Sequence, residues 1–225
     1  MTDSQYSPPW WAHNAHIQTT VPTFLSTPQP IYTRERWETP DDDFIDLDWV
    51  NRDKALNHNQ KLVVLFHGLE GSSQSPYARA LMHACACNGD SGVVVHWRSC
   101  SGELNRQPIF YHSGFSQEID WILRRLAKQY PHSQRHAAGV SLGGNALLKW
   151  LGEQGQSAHA IIQKAAAICP PQDLKAGSIA LANGFNQLVY MRHFLSTLKT
   201  KGLAKVATGS IPRTIPPSVF LYRKR

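Results

Sequence analysis

The sequence predicts an α/β fold, a doubly wound and mostly parallel sheet with helices on both faces. Three observations predict it. The apolar runs Leu62-Val63-Val64-Leu65-Phe66 and Val93-Val94-Val95 suit strands buried on both faces. Helical patterns stand between them, and Phe115, Ile119, Ile122, Leu126 and Tyr130 mark one apolar helix face. Strands and helices of this length then alternate along the chain. With 225 residues, 42% of them hydrophobic, the chain can bury one sizeable core.

The strands and helices can be justified in order. Pro8 to Thr19 is aromatic and proline-opened, without periodicity, and suits a segment that wraps the outside of the domain. Arg34 to Glu38 and Phe44 to Val50 read as two strands across the turn Thr39-Pro40-Asp41-Asp42-Asp43, whose acidic run reads as solvated. Ile45, Leu47 and Trp49 alternate with Asp46 and Asp48, the period of a half-buried strand. Lys61 to Phe66 is the next strand, and Ser75-Pro76 opens a helix over Tyr77 to Asn88 that Gly89 closes. Val93 to His96 follows, then the helix around Ile119 and Ile122, and Ile161 to Ile168 gives a further strand. Leu181 to Lys199 reads as lid-like helix. The expected organisation is a wrap with first strands over 1–58, a core over 59–175, a lid-like segment over 176–205, and a basic tail over 206–225.

Composition bounds the function. No apolar run approaches the ~18 residues of a membrane span. Met1-Thr2-Asp3-Ser4-Gln5 lacks the regions of a signal peptide. Cys85, Cys87, Cys100 and Cys169 show neither C-x-x-C pairing nor zinc spacing, which predicts reduced thiols and a cytoplasmic setting. His13 and His16 lack a third metal ligand, so no metal is expected. The net charge of +7 invites a nucleic-acid partner, but Arg213, Arg223, Lys224 and Arg225 sit in one unbalanced terminal stretch. The other basic residues form no stripe with interleaved aromatics, and no nucleic acid is expected.

The chemistry concentrates in Gly139-Val140-Ser141-Leu142-Gly143, where an apolar strand runs into an amphipathic helix. Strand, tight turn and helix are what a G-x-S-x-G nucleophile elbow requires. Glycines on either side of a serine at strained angles remove β-carbons that would collide. By itself the pattern also fits an ordinary helix entered through small residues; its setting favours the elbow. His67-Gly68-Leu69-Glu70-Gly71 follows a buried strand directly, so its backbone amides lie at the carboxyl edge of the sheet. The amides of Leu69 and Leu142 are the expected oxyanion donors for a Ser141 nucleophile. His67 reads as an orienting residue rather than the base, because a base approaches the nucleophile from another loop.

With these residues in place, the chain resembles the α/β-hydrolases, and within them the YheT-like branch of esterases related to abhydrolase-domain lipases. The matching stretches are Trp10-Trp11 with His16-Ile17-Gln18-Thr19, His67-Gly68-Leu69-Glu70-Gly71, Cys100-Ser101-Gly102-Glu103 with Asn105-Arg106, Tyr111-His112-Ser113-Gly114, Gly139 to Asn145, and Pro171-Gln172-Asp173-Leu174. The resemblance covers about Pro8 to Lys205. It implies a carboxylic-ester hydrolase without cofactor, acting on a small-molecule or lipid ester, with Ser141 as nucleophile.

Two departures stand out. Ser99 occupies a position where the family usually has glycine. After Lys205 the match stops: the tail resembles nothing in the family and reads as the product of a frame shift or premature stop. The family takes its acid and histidine from final strands beyond the lid, so those strands are expected to be missing and the strand ending at Ile168 to expose an apolar edge. Within the chain, Asp173 and His193 stand in the order Ser, Asp, His and form a candidate substitute acid and base. Asp173 also suits a helix N-cap, and His193 a lid-helix position. A serine left without acid and histidine would make the chain an inactive hydrolase fragment.

Overall fold

The computed structural model describes residues 7–56 and 60–209. Its centre is a six-stranded sheet of order β1-β2-β4-β3-β5-β6, built from β1 (Thr33–Glu38), β2 (Phe44–Val50), β3 (Lys61–Phe66), β4 (Ser91–Val95), β5 (Gln134–Val140) and β6 (Lys164–Ile168). β1 and β2 pair antiparallel, as does β2 with β4, whereas β3, β4, β5 and β6 run parallel. The helices are α1 (Ala15–Thr20), α2 (Pro76–Cys87), α3 (Ser116–Gln129), α4 (Leu142–Gln154), α5 (Leu174–Leu181), α6 (Gly184–Asn186) and α7 (Arg192–Ala207). The order β3-α2-β4-α3-β5-α4-β6 is the alternation read from the sequence.

The core has two parts. One gathers Trp37, Trp49, Phe66, Trp97 and Trp150 with Ile119, Ile122, Leu126 and Leu147 of α3 and α4. The other packs Ala78, Met82 and Cys85 of α2 on Val50, Leu65 and Val94. All four cysteines are free.

Three expectations change. β2 is not half-buried: all seven residues are buried, Asp46 and Asp48 included. Burial of those carboxylates is offset by partners. Arg36 grips Asp46 at 2.8 and 2.9 Å, and Asp48 takes Arg34, Ser73 and His96. The acidic turn is not simply solvated either. Asp43 is fully buried, accepts from Asn105 and the Arg106 amide, and pairs with Arg98, which also holds Asp41. Finally, β6 begins at Lys164. Ile161 and Ile162 are buried in the turn before it, where the Ile161 carbonyl accepts from Arg135 Nε.

The outer edge of β6 has no strand partner among the described residues, and its apolar residues Ala165, Ala166 and Ile168 are exposed, as expected. The lid-like segment is helical but broken: α5, α6 and a π-helical turn over Gln187–Met191 lead into α7. The basic tail expected from 206 lies outside the described residues beyond Gly209, and the boundary expected at 58 falls in the other undescribed stretch.

Candidate active site

β5 ends at Val140 and α4 begins at Leu142, so the whole reversal of direction falls on Ser141. Its backbone sits at φ 51, ψ −116, a combination that costs a side-chain-bearing residue about 1–3 kcal/mol. Neighbouring backbone holds it there. The Ser141 amide donates to the Ile168 carbonyl at 2.8 Å, and the Ser141 carbonyl accepts from the Asn145 amide at 3.0 Å.

The glycines are required by close approach. A β-carbon on Gly139 would lie 2.5 Å from the Gly143 carbonyl oxygen. One on Gly143 would fall on the Phe66 carbonyl oxygen and 2.6 Å from that of His67. The start of α4 therefore packs directly on the carboxyl end of β3. Gly68 in turn faces the serine: a β-carbon there would sit 3.3 Å from Ser141 Cβ.

The loop after β3 is fixed from three sides. The Gly68 amide donates to the Tyr77 hydroxyl at 2.9 Å, and burial pushes that phenol up from its ordinary value. Glu70 has φ 54; its amide donates to the Tyr111 hydroxyl at 2.7 Å, and that hydroxyl donates to Glu70 Oε1 at 2.7 Å. Burial, the neighbouring Cys100 and the Glu70 carboxylate hold the Tyr111 phenol well above the ordinary tyrosine range, so it stays a donor. Lys201 of α7 closes the set, 2.8 Å from Glu70 Oε2 and 2.9 Å from Oε1.

Leu69 stands inside this clamp and Leu142 at the N-terminus of α4, and neither amide has an acceptor among the described residues. His67 is fully buried. Its Nδ1 faces the Gly68 carbonyl at 2.8 Å and its Nε2 accepts from the Trp97 amide at 3.2 Å. That pairing places the proton on Nδ1, and burial lowers its pKa to about 3. With both ring nitrogens engaged by the backbone, His67 orients the loop.

The other candidates lie apart. Asp173 is exposed and caps α5, accepting from the Ala176 amide at 2.8 Å. His193 is exposed on α7 with its ring against Phe194, 5.7 Å between centroids. Among the described residues no hydrogen bond or ion pair joins Asp173, His193 and the Ser141 hydroxyl. Ser99 has φ 65, the region where glycine is at ease, and its hydroxyl donates to Asn105 Oδ1 at 2.6 Å. Roles for Tyr77, Tyr111, Glu70 and Lys201 were not legible in the sequence, since Tyr111 and Lys201 stand 41 and 131 residues from Glu70.

No protein-family model matches the chain. Among curated relatives, YheT of Escherichia coli (strain K12), an esterase by name, is 40% identical over 205 residues, covering 90% of this chain and 58% of that protein. Phospholipase ABHD3 of Homo sapiens is 27% identical, covering 85% and 47% of the two chains. Monoacylglycerol lipase of Saccharomyces cerevisiae is 27% identical, covering 78% and 41%. The chain thus spans roughly half the length of the curated relatives it matches. Among solved structures, a Pyrococcus furiosus esterase shares the fold with a TM-score of 0.55 at 17% identity, over 79% of this chain and 69% of that one.

Proposed function

From the chain's membership of the YheT-like branch of the α/β-hydrolases, we propose that Ser141 is the nucleophile of a carboxylic-ester hydrolase. One observation carries the reading. Ser141 stands at a strained strand-to-helix turn, with its Cβ against Gly68. Such strain persists only where surroundings over-determine it, and here it lifts a nucleophile clear of the sheet.

In this reading Ser141 Oγ attacks the ester carbonyl carbon and gives up its proton to a base. The carbonyl π pair moves to oxygen, and that oxyanion accepts from the amides of Leu69 and Leu142. Collapse re-forms the carbonyl and breaks the ester C–O bond; the leaving alkoxide takes the proton and departs as alcohol. Water then repeats the sequence on the acyl-serine and releases the acid. The positions of Asp173 and His193 do not support them as the acid and base.

A second reading is a chain that holds the nucleophile and oxyanion amides but no working acid and histidine. The exposed positions of Asp173 and His193 favour it. The cost is large, because a serine without its histidine loses on the order of 10⁶ in turnover. Fluorophosphonate labelling followed by intact mass separates the readings. A single adduct on the wild type, absent in Ser141→Ala and retained in His193→Ala and Asp173→Ala, supports an activated Ser141. No adduct on folded protein overturns the hydrolase reading for this chain.

A further inference from the structure

Two segments of this chain share an unusual charge pattern. From Ser7 to Thr33 there is no Asp, Glu, Lys or Arg. From Leu174 to Gly209 there is no Asp or Glu, but there are Lys175, Arg192, Lys199, Lys201 and Lys205. The fold brings the two together. The ring of His16 in α1 packs tilted against Phe185, 4.4 Å between centroids, and its Nδ1 lies 3.2 Å from the Tyr190 hydroxyl. The wrap segment therefore lies alongside α6 and the π-helical turn.

Both segments turn large apolar side chains to solvent. Trp10 and Phe24 are each 86% exposed and Leu188 is 65% exposed; Leu25 and Phe185 are exposed as well. The cations divide in two. Lys201 and Lys205 point inward, to Glu70 and to the Gln107 carbonyl. Lys175, Arg192 and Lys199 are exposed, and no carboxylate pairs with them among the described residues.

We infer that the wrap segment and the lid-like segment together form an interfacial docking face for an anionic lipid surface. Aromatic and aliphatic side chains with unpaired cations and no carboxylate are what such an interface selects. Other occupants fit less well. A second copy docked face to face would bring Lys175, Arg192 and Lys199 against their own counterparts. The segment beyond Gly209 carries Arg213, Arg223, Lys224 and Arg225 and no acid, so it repels the same face. Among the described residues no helix is long and apolar enough to cross a membrane. The lid-like segment also touches the oxyanion loop through Lys201, which puts the proposed lipid face and Ser141 on neighbouring elements.

The test is vesicle flotation of the full 225-residue chain with phosphatidylcholine alone and with phosphatidylcholine:phosphatidylglycerol 7:3, with tryptophan emission read in parallel. The wild type is expected to float with the anionic vesicles, with a blue shift, and to release in high salt. Replacing Lys175 and Arg192 by Gln should weaken that binding about thirtyfold, from ~1 kcal/mol per cation near the surface. Phe24→Ser with Leu188→Ser should abolish the blue shift while far-ultraviolet dichroism stays unchanged. Ser141→Ala should bind like the wild type, which separates this inference from the hydrolase reading. A folded wild type that floats with neither vesicle overturns it. So does binding that both double variants leave intact, or a dimer by ultracentrifugation that Phe24→Ser/Leu188→Ser dissolves without any lipid binding.

Discussion

Replacing Glu118 by Gln should leave stability nearly unchanged in mild acid and raise it in mild base. Glu118 lies in the first turn of α3 with a side chain only 2% exposed. Its Oε2 accepts from Arg98 Nε at 2.7 Å, but its Oε1 has no partner. Burial raises its pKa to about 7; Arg98 opposes the rise, while Asp41 and Asp43 add to it. In the unfolded chain the carboxyl titrates near about 4.3. Between those values the folded state holds a proton that the unfolded state has lost, so this group's contribution falls as pH rises. The loss is complete about one unit above pH 7 and amounts to roughly 4 kcal/mol in full, at 1.36 kcal/mol per pK unit. Gln cannot ionise, and Arg98 keeps Asp41 and Asp43.

The comparison must be made pH by pH. His67, with its pKa lowered to about 3, imposes the opposite slope: its unfolded form binds a proton that its folded form refuses, and stability is lost as pH falls below about 6.5. That slope is common to both proteins and cancels. Urea unfolding followed by tryptophan fluorescence, at half-unit steps from pH 4.5 to 8, gives the difference directly. The variant should gain about 3 kcal/mol on the wild type across that range. A difference that stays flat, or a variant equally destabilised at both ends, would refute the reasoning, because the Arg98 ion pair would then outweigh the burial of the charge.

Two further predictions bear on the site. Gly143→Ala places a methyl on the Phe66 carbonyl, and backbone cannot yield there as a side chain could; we expect a loss of roughly 2–3 kcal/mol, read as a Tm lower by about 6–10 °C. Tyr111→Phe removes the hydroxyl that accepts from the Glu70 amide, so hydrogen exchange at that amide should quicken by roughly 10- to 100-fold, the equivalent of a lost bond of 1–3 kcal/mol. Unchanged exchange would mean that Lys201 and Tyr77 hold the loop without Tyr111.

What could be read from the sequence is what a few adjacent residues decide. The elbow is one turn; its glycines, its serine and the helix after it stand within a dozen positions, so Gly139, Ser141 and Gly143 were legible before any fold was known. The buried runs of β3 and β4 were legible for the same reason, as was Asp173 as an N-cap. Asp43, Asp46 and Asp48 were misread because the residues that let a carboxylate be buried are remote. Arg98 stands 55 positions from Asp43, and alternation alone assigns such acids to solvent. The start of β6 was misread for a related reason: Ile161 and Ile162 are as apolar as a strand, but the Ile161 carbonyl is taken by Arg135.

The two halves of the candidate site differ in how they are held, and the difference bears on what could regulate it. Ser141 and the Leu142 amide are set by contacts between backbones at the carboxyl ends of three neighbouring parallel strands, β3, β5 and β6. The Leu69 amide instead depends on side chains from elsewhere: Tyr77 on α2, Tyr111 in the loop before α3, and Lys201 on α7. Of these only Lys201 comes from the lid-like segment, and it reaches the loop as an ion pair with a carboxylate that is almost fully buried. A shift of α7 that withdrew the ammonium would leave the Glu70 carboxylate buried with Tyr111 alone, a costly state that the loop would relieve by turning Glu70 outward. Leu69 precedes Glu70 directly, so the same rotation would move the amide proposed as an oxyanion donor. Whatever displaces α7 thus acts on the Leu69 half of the candidate site and leaves Ser141, the proposed nucleophile, where the sheet puts it.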